Sequence, residues 1–257
     1  MERKQMPRVF HMARRGLSLG LFLLVAAITL ISMANCSAPM PIVQKEPADL
    51  LLIDRSLLTD SPCAAPCWQN IIPGISNEDD VRRQLEACPF VREGSINRGE
   101  TEEYGVDLVY FTWESAAGKW DKQFRLGKNR LYLCDNVVVW IKTYLEYELT
   151  LRQVLDKYGL PEGIYVSDHP SDARYHVSMD YPHRGLSFEV FDVLSLEDME
   201  RRVAPVSEDM KVTSVYYFAP TSIEGELRDV HLLSPEGVEQ ALEHLQEWHG
   251  FGEYSLQ

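Results

Sequence analysis

Basic residues are scarce in this sequence. Its 257 residues hold 25 Lys and Arg against 39 Asp and Glu, a formal net charge of −14. Binding along a nucleic acid requires a cationic surface that displaces counterions from phosphate, so that class of partner is excluded. Catalytic signatures are missing too. No G-x-S-x-G elbow, no P-loop and no H-E-x-x-H occurs, and scattered Ser, His and Asp residues do not make a triad. Intrinsic disorder is excluded by the 45% hydrophobic and 10% aromatic content, which is enough to bury a core. The length fits one large domain or two small ones and sets no oligomeric state.

One stretch lacks charge altogether. Residues 16–44 contain no Asp, Glu, Lys or Arg, and residues 17–34 are almost wholly apolar. Ahead of them Arg3, Lys4, Arg8, Arg14 and Arg15 accompany a single acid, Glu2. A basic head followed by an apolar run is the form of an export signal, and this run is just long enough to cross a bilayer. Its flanking charge keeps the N-terminal end in the cytoplasm and sends the remainder out. Met33-Ala34-Asn35-Cys36 resembles the lipobox of bacterial lipoproteins, which implies lipid on Cys36. Met33 replaces the usual Leu, and Asn35 the usual small residue. Residues 1–35 are therefore expected to be either a cleaved signal sequence or a retained anchor. Attachment to the membrane is through the N-terminus, because residues 36–257 carry 20 basic and 38 acidic groups and are repelled by anionic headgroups.

Cysteine is also rare, five in all. With Cys36 spent on lipid, an even set remains: Cys63, Cys67, Cys88 and Cys134. In an exported chain such a set reads as two disulfides, with three pairings open. The alternative, a metal site on Cys63 and Cys67, lacks a second closely spaced pair. The same two residues are one position too far apart for a redox-active C-x-x-C.

Beyond Cys36 the organisation follows from periodicity. Pro39, Pro41, Pro47 and Pro62 mark residues 36–61 as a tether. Residues 62–146 form a first unit, with a helix over 77–87 capped by Ser76, then strands over 106–113, 120–126, 130–134 and 137–144. Residues 147–257 form a second unit. Thr150 caps a helix over 151–158, strands follow over 163–166, 175–181, 186–193 and 212–218, and a short helix occupies 196–203. A last helix runs from Pro235 to about Trp248. The predicted class is α+β: two helix-plus-antiparallel-meander units with helices on one face of the sheet.

Each unit, a capped short helix ended by Cys-Pro or Gly-Leu-Pro and followed by antiparallel strands, resembles the small envelope lipoproteins of the SmpA/BamE type. Their tandem arrangement resembles the β-lactamase-inhibitor-protein fold. Cys63-Ala-Ala-Pro-Cys67-Trp68, Ile72-Pro73-Gly74-Ile75-Ser76 and Trp248-His249-Gly250-Phe251-Gly252 resemble exported lipoproteins, without an assigned activity, of Chloroflexus-like filamentous bacteria. The resemblance implies a fold and a location and carries no site residue.

Candidate chemistry concentrates in residues 168–183. Asp168, His169, Asp172, His176, Asp180 and His183 are its polar members, and strand alternation puts His176, Ser178 and Asp180 on one face. His176, Asp180 and His183 are the weak candidates for a metal; their spacing matches no tight ligand motif, and no metal or cofactor is assigned. His244, Glu247 and His249 do not reproduce a zincin, and Gly250-Phe251-Gly252 is no dinucleotide loop. Among the aromatics of the first meander, Tyr110, Phe111, Trp113, Trp120, Phe124, Tyr132, Trp140 and Tyr144, alternation turns about half inward and leaves the others as a binding face. The expected role is non-catalytic binding of an envelope protein or small ligand. The alternative is an extracytoplasmic hydrolase or metal-binding protein using residues 168–183, and a secreted inhibitor follows by analogy of fold alone.

Overall fold

Alternation of apolar and polar residues builds the largest element of the molecule. The computed structural model describes residues 52–103, 105–117, 128–169 and 174–256. Within them eight strands form one antiparallel sheet: β1 (Asn97–Glu103), β2 (Val106–Trp113), β3 (Asn129–Cys134), β4 (Val137–Tyr144), β5 (Gly163–His169), β6 (Arg174–Tyr181), β7 (Leu186–Val193) and β9 (Ser214–Phe218). Their order is β1-β2-β3-β4-β9-β7-β6-β5. A separate ribbon pairs β8 (Val203–Val206) with β10 (Gly252–Ser255). The class is therefore α+β, as expected. Asp135 and Asn136 join β3 to β4 with φ of 49° and 63°, the left-handed conformation that a two-residue hairpin needs and that Asn and Asp tolerate.

Among the described residues six α-helices accompany the strands: α1 (Ser56–Thr59), α2 (Glu78–Ala87), α3 (Leu151–Tyr158), α4 (Leu196–Arg201), α5 (Ile223–Asp229) and α6 (Pro235–His244). The cap of α2 is Asn77, which forms a reciprocal box with Asp80; the expected Ser76 instead accepts the Ile72 N–H at 2.9 Å. Thr150 and Gln153 box α3 as its sequence predicts. Helix α6 stops at His244, short of Trp248, because Gln246 leaves the helix and exchanges backbone hydrogen bonds of 2.9 and 3.1 Å with Ile164 of β5.

Val81 and Leu85 of α2, with Leu151 and Val154 of α3, join one buried cluster with Phe111, Leu131, Ile141, Val177, Met179, Phe188 and Tyr217 of the strands. Burying aliphatic and aromatic side chains of this size contributes about 1.5–3 kcal/mol each before entropy is charged. Trp113 stacks on Trp68 at 5.1 Å between ring centroids. Part of the expected tether packs on this body. Ile53 and Leu57 are buried, Asp54 accepts the Trp68 indole N–H at 2.6 Å, and the Leu57 carbonyl accepts from Lys157 and Tyr158. Among the described residues no helix is long and apolar enough to cross a membrane. The charge-free run, Cys36 and the strand expected at 120–126 lie outside the described residues.

The cysteines correct the expectation of two bridges. Cys63 and Cys67 are disulfide-bonded, with Cα atoms 5.8 Å apart, so this pair holds no metal. Cys88 and Cys134 are free thiols. Cys88 is buried in the core at the end of α2, where burial raises its thiol to about 11 while the Phe90 and Val91 N–H groups partly offset this. Cys134 instead sits at the β3–β4 turn.

Candidate functional site

The register of the sheet gathers polar residues on one face. Lys142 of β4 lies opposite Tyr216 of β9, which lies opposite Ser187 of β7, which lies opposite Asp180 of β6. A parallel row runs Ser214, Glu189, Ser178 and Tyr165 across β9, β7, β6 and β5. Successive side chains alternate across the sheet, so both rows and His176 share the face opposite Val177, Met179, Phe188 and Tyr217. The sequence-level placement of His176, Ser178 and Asp180 on one face is met.

Two knots hold these groups. In the first, Lys142 Nζ lies 2.5 Å from Glu189 Oε2 and donates to the Tyr216 hydroxyl at 2.9 Å. The Ser214 hydroxyl donates to the same Glu189 oxygen. His176 Nε2 stands 3.3 Å from Glu189 Oε1, in ion-pair range but without hydrogen-bond geometry. Burial alone raises the Glu189 carboxyl, but His176 and Lys142 outweigh it and hold it at about 2. Lys142 is pulled down by burial and up more strongly by Glu189, so it stays charged. In the second knot, Asp180 Oδ1 accepts the hydroxyls of Ser178 and Ser187, both at 2.6 Å. Desolvation raises the Asp180 carboxyl despite these donors.

Helices α5 and α6 close over part of this face and leave a cavity of about 310 Å³. Its apolar wall comes from Ile223 and Leu227 of α5, Leu233 in the following loop, Ala241 of α6 and Leu245 just after it. Its polar wall includes Tyr165, His176, Asp180, Glu189, Glu226 and His231. Glu226 is 2% exposed, and its Oε1 has no hydrogen-bond partner. His231 Nε2 stands 3.8 Å from that oxygen. Burial, reinforced by the charge of Asp180, raises the Glu226 carboxyl to about 8. His231 is raised as well: desolvation opposes its charge, and Glu226, Asp180 and Glu189 overcome it. Buried titratable groups displaced in opposite directions around a partly apolar cavity make this the candidate functional site.

The remaining sequence candidates stand elsewhere. His183 is exposed and pairs with Glu162, and Asp168 pairs with Arg202. Asp172 and the His169 side chain lie outside the described residues. Among the described residues no three His, Cys, Asp or Glu side chains converge as a metal site, so His176, Asp180 and His183 form no ligand set. Reading the sequence missed Glu189, Glu226, His231 and Lys142. Glu189 carried a usable signal: it stands between Phe188 and Val190 in the buried part of β7, where an acid demands a partner.

The same face continues outward as an aromatic row. Tyr110, Tyr132, Trp140 and Tyr216 follow one another across β2, β3, β4 and β9 at centroid distances of 5.9, 4.5 and 5.4 Å. At its far end the Tyr110 ring lies over Gly99, where a Cβ would come within 2.3 Å of ring atoms. Phe111 and Trp113 point into the core; Trp120 and Phe124 lie outside the described residues. No protein-family model, curated protein or solved structure matches this chain.

Proposed function

We propose that this chain is a non-catalytic binding protein, held at the extracytoplasmic face of a bacterial membrane through its N-terminus, and that it takes a small ligand between its sheet and α5/α6. The observation that carries this reading is the cavity, which joins an apolar wall from two helices to buried carboxylates on three elements. Its size is about twice that of an apolar cavity that holds benzene, which admits a ligand of roughly a dozen non-hydrogen atoms. The export reading rests on the basic head, the charge-free run and Cys36, and the Cys63–Cys67 bridge agrees with an oxidising compartment. Lipid on Cys36 and a tandem pair of helix-plus-meander units of the SmpA/BamE type belong to the same proposal. The symmetric sheet order, with β1 to β4 on one side and β9, β7, β6, β5 on the other, supports the tandem arrangement.

The test is a calorimetric and thermal-shift screen of small amphipathic compounds on the full chain purified in detergent. Saturable binding without turnover, lost in a Leu227→Trp variant that fills the cavity, is the expected result. An inert cavity overturns the reading. Mass spectrometry of the membrane form should find Cys36 N-terminal and acylated; an internal, unmodified Cys36 on a soluble chain removes the anchoring half.

A second reading has its own observation. Asp180 and Glu226 are two carboxyls with raised affinity for protons in one cavity, the disposition of an acid–base hydrolase. Turnover of an ester, peptide or glycoside substrate that Glu226→Gln and Asp180→Asn both abolish would favour it over binding alone.

A further inference from the structure

The binding reading leaves the chemistry of the ligand open, and the charges lining the cavity narrow it. Glu189 is already neutralised by Lys142, whose Nζ is also committed to Tyr216. That leaves the carboxyls of Asp180 on β6 and Glu226 on α5 facing one space. Asp180 uses only Oδ1 for its two serine donors, and Glu226 Oε1 is buried without a hydrogen-bond partner. A buried acceptor left unmatched costs about 1–3 kcal/mol, more when charged, and is a standing demand for a donor. His231 Nε2, 3.8 Å away, is within ion-pair range but beyond hydrogen-bond distance and does not supply one. Helix α6 and its end present only Ala241 and Leu245 to the cavity, so no cation arrives from that side.

We propose that the cavity binds a protonated amine carried on a compact apolar body, with the ammonium between Asp180 and Glu226 and the body against Ile223, Leu227 and Leu245. This inference rests on the ligand-cavity reading and gives its ligand a class. An ammonium offers three donors and a positive charge, which together answer both carboxylates. A carboxylate ligand would set a further negative charge beside Asp180 and Glu226 and is disfavoured. An alcohol of the same shape satisfies one acceptor but leaves the charge uncompensated.

Binding then exchanges one cation for another. The free protein keeps a proton on Glu226 at neutral pH; the ammonium takes over its role, and that proton passes to solvent. The other groups facing Glu226 are Asp180 and His176 of β6, Glu189 of β7, Tyr165 of β5, Tyr216 of β9, His231 and, more distantly, Glu162. His231, which is raised by the acids around it, loses charge as pH rises, which removes competition for the carboxylates and acts in the same direction. Affinity for an amine therefore rises with pH until the amine itself deprotonates.

The experiment titrates the full chain in detergent with cyclohexylmethylamine, cyclohexylmethanol and cyclohexanecarboxylate, each from pH 6 to pH 8.5, in two buffers of different ionisation enthalpy. We expect the amine to bind at least tenfold more tightly than the alcohol at pH 8, to gain more than tenfold in affinity between pH 6 and pH 8, and to release a proton at pH 7. In Glu226→Gln the greater part of the pH gain and of the proton release is lost while alcohol binding stays. An alcohol or carboxylate that binds as tightly as the amine overturns the amine assignment and leaves the cavity reading standing. If none of the three binds, both fail.

Discussion

Separating Lys142 from Glu189 is the sharpest perturbation this fold offers. The two residues are 8% and 7% exposed and come from strands that pair through β9 rather than with each other. In Lys142→Met the aliphatic stem is kept and the charge removed, so Glu189 is left buried with Ser214 and His176 as its remaining partners. Stranding one member of a buried pair costs about 3–5 kcal/mol. The combined effect of Glu189's partners, His176 and Lys142 together, is of the same size. Glu189 moves from an ordinary value of 4.5 to about 2, and at 1.36 kcal/mol per pH unit that is about 3 kcal/mol. Because the folded carboxyl titrates below the unfolded one, this stability is complete above pH 4.5 and is lost as pH falls toward 2. Urea unfolding of wild type, Lys142→Met, Glu189→Leu and the double variant, at pH 7 and pH 3, reads all of this. Each single change should cost at least 3 kcal/mol at pH 7, and the double change should cost clearly less than the sum. Additive costs, or a Lys142→Met penalty under about 1 kcal/mol, refute the reasoning.

Two further outcomes follow from groups displaced the other way. Glu226 titrates in the folded protein at about 8 against an ordinary 4.5, so the unliganded protein loses stability as pH climbs between those values. Relative to wild type, Glu226→Gln should gain about 4 kcal/mol between pH 4 and pH 8 in thermal or urea unfolding; a flat difference shows that the carboxyl is not held protonated. Among the thiols of the described body, Cys134 should alkylate in the native protein and Cys88 only in denaturant, while Cys63 and Cys67 react only after reduction. Peptide mapping checks this, and Cys63→Ser should cost about 2 kcal/mol for so short a loop.

The sequence revealed the apolar half of the molecule well. Strands β2, β4 and β7 were legible to the residue, because alternation and the turn pair Asp135-Asn136 leave one register. Strand β1, Asn-Arg-Gly-Glu-Thr-Glu-Glu, was invisible. It sits at the sheet edge with one neighbour, so it needs no apolar face, and its charges are what an edge strand uses against unwanted pairing. Helix α5 escaped because seven residues with Gly225 inside carry little periodic signal. The site divides in the same way. His176 and Asp180 stand two turns of the pleat apart on one strand and could be read together. Lys142, Glu189 and Glu226 reach the cluster from separate elements through register and through packing of α5; a buried acid such as Glu189 announces the need for a partner, but local spacing does not say which.

The seam between β4 and β9 gives the molecule a built-in order of completion. Lys142 belongs to the first four strands, yet Glu189, which it answers, and the carboxyls of Asp180 and Glu226 beyond it are all made later in the chain. A growing chain that stops after β4 would show a bare strand edge flanked by aromatic rings and a lysine with nothing to neutralise. Only when β9 has slotted in does the edge vanish and the hollow acquire its floor. On the ligand-cavity proposal, binding therefore waits until β9 is in place.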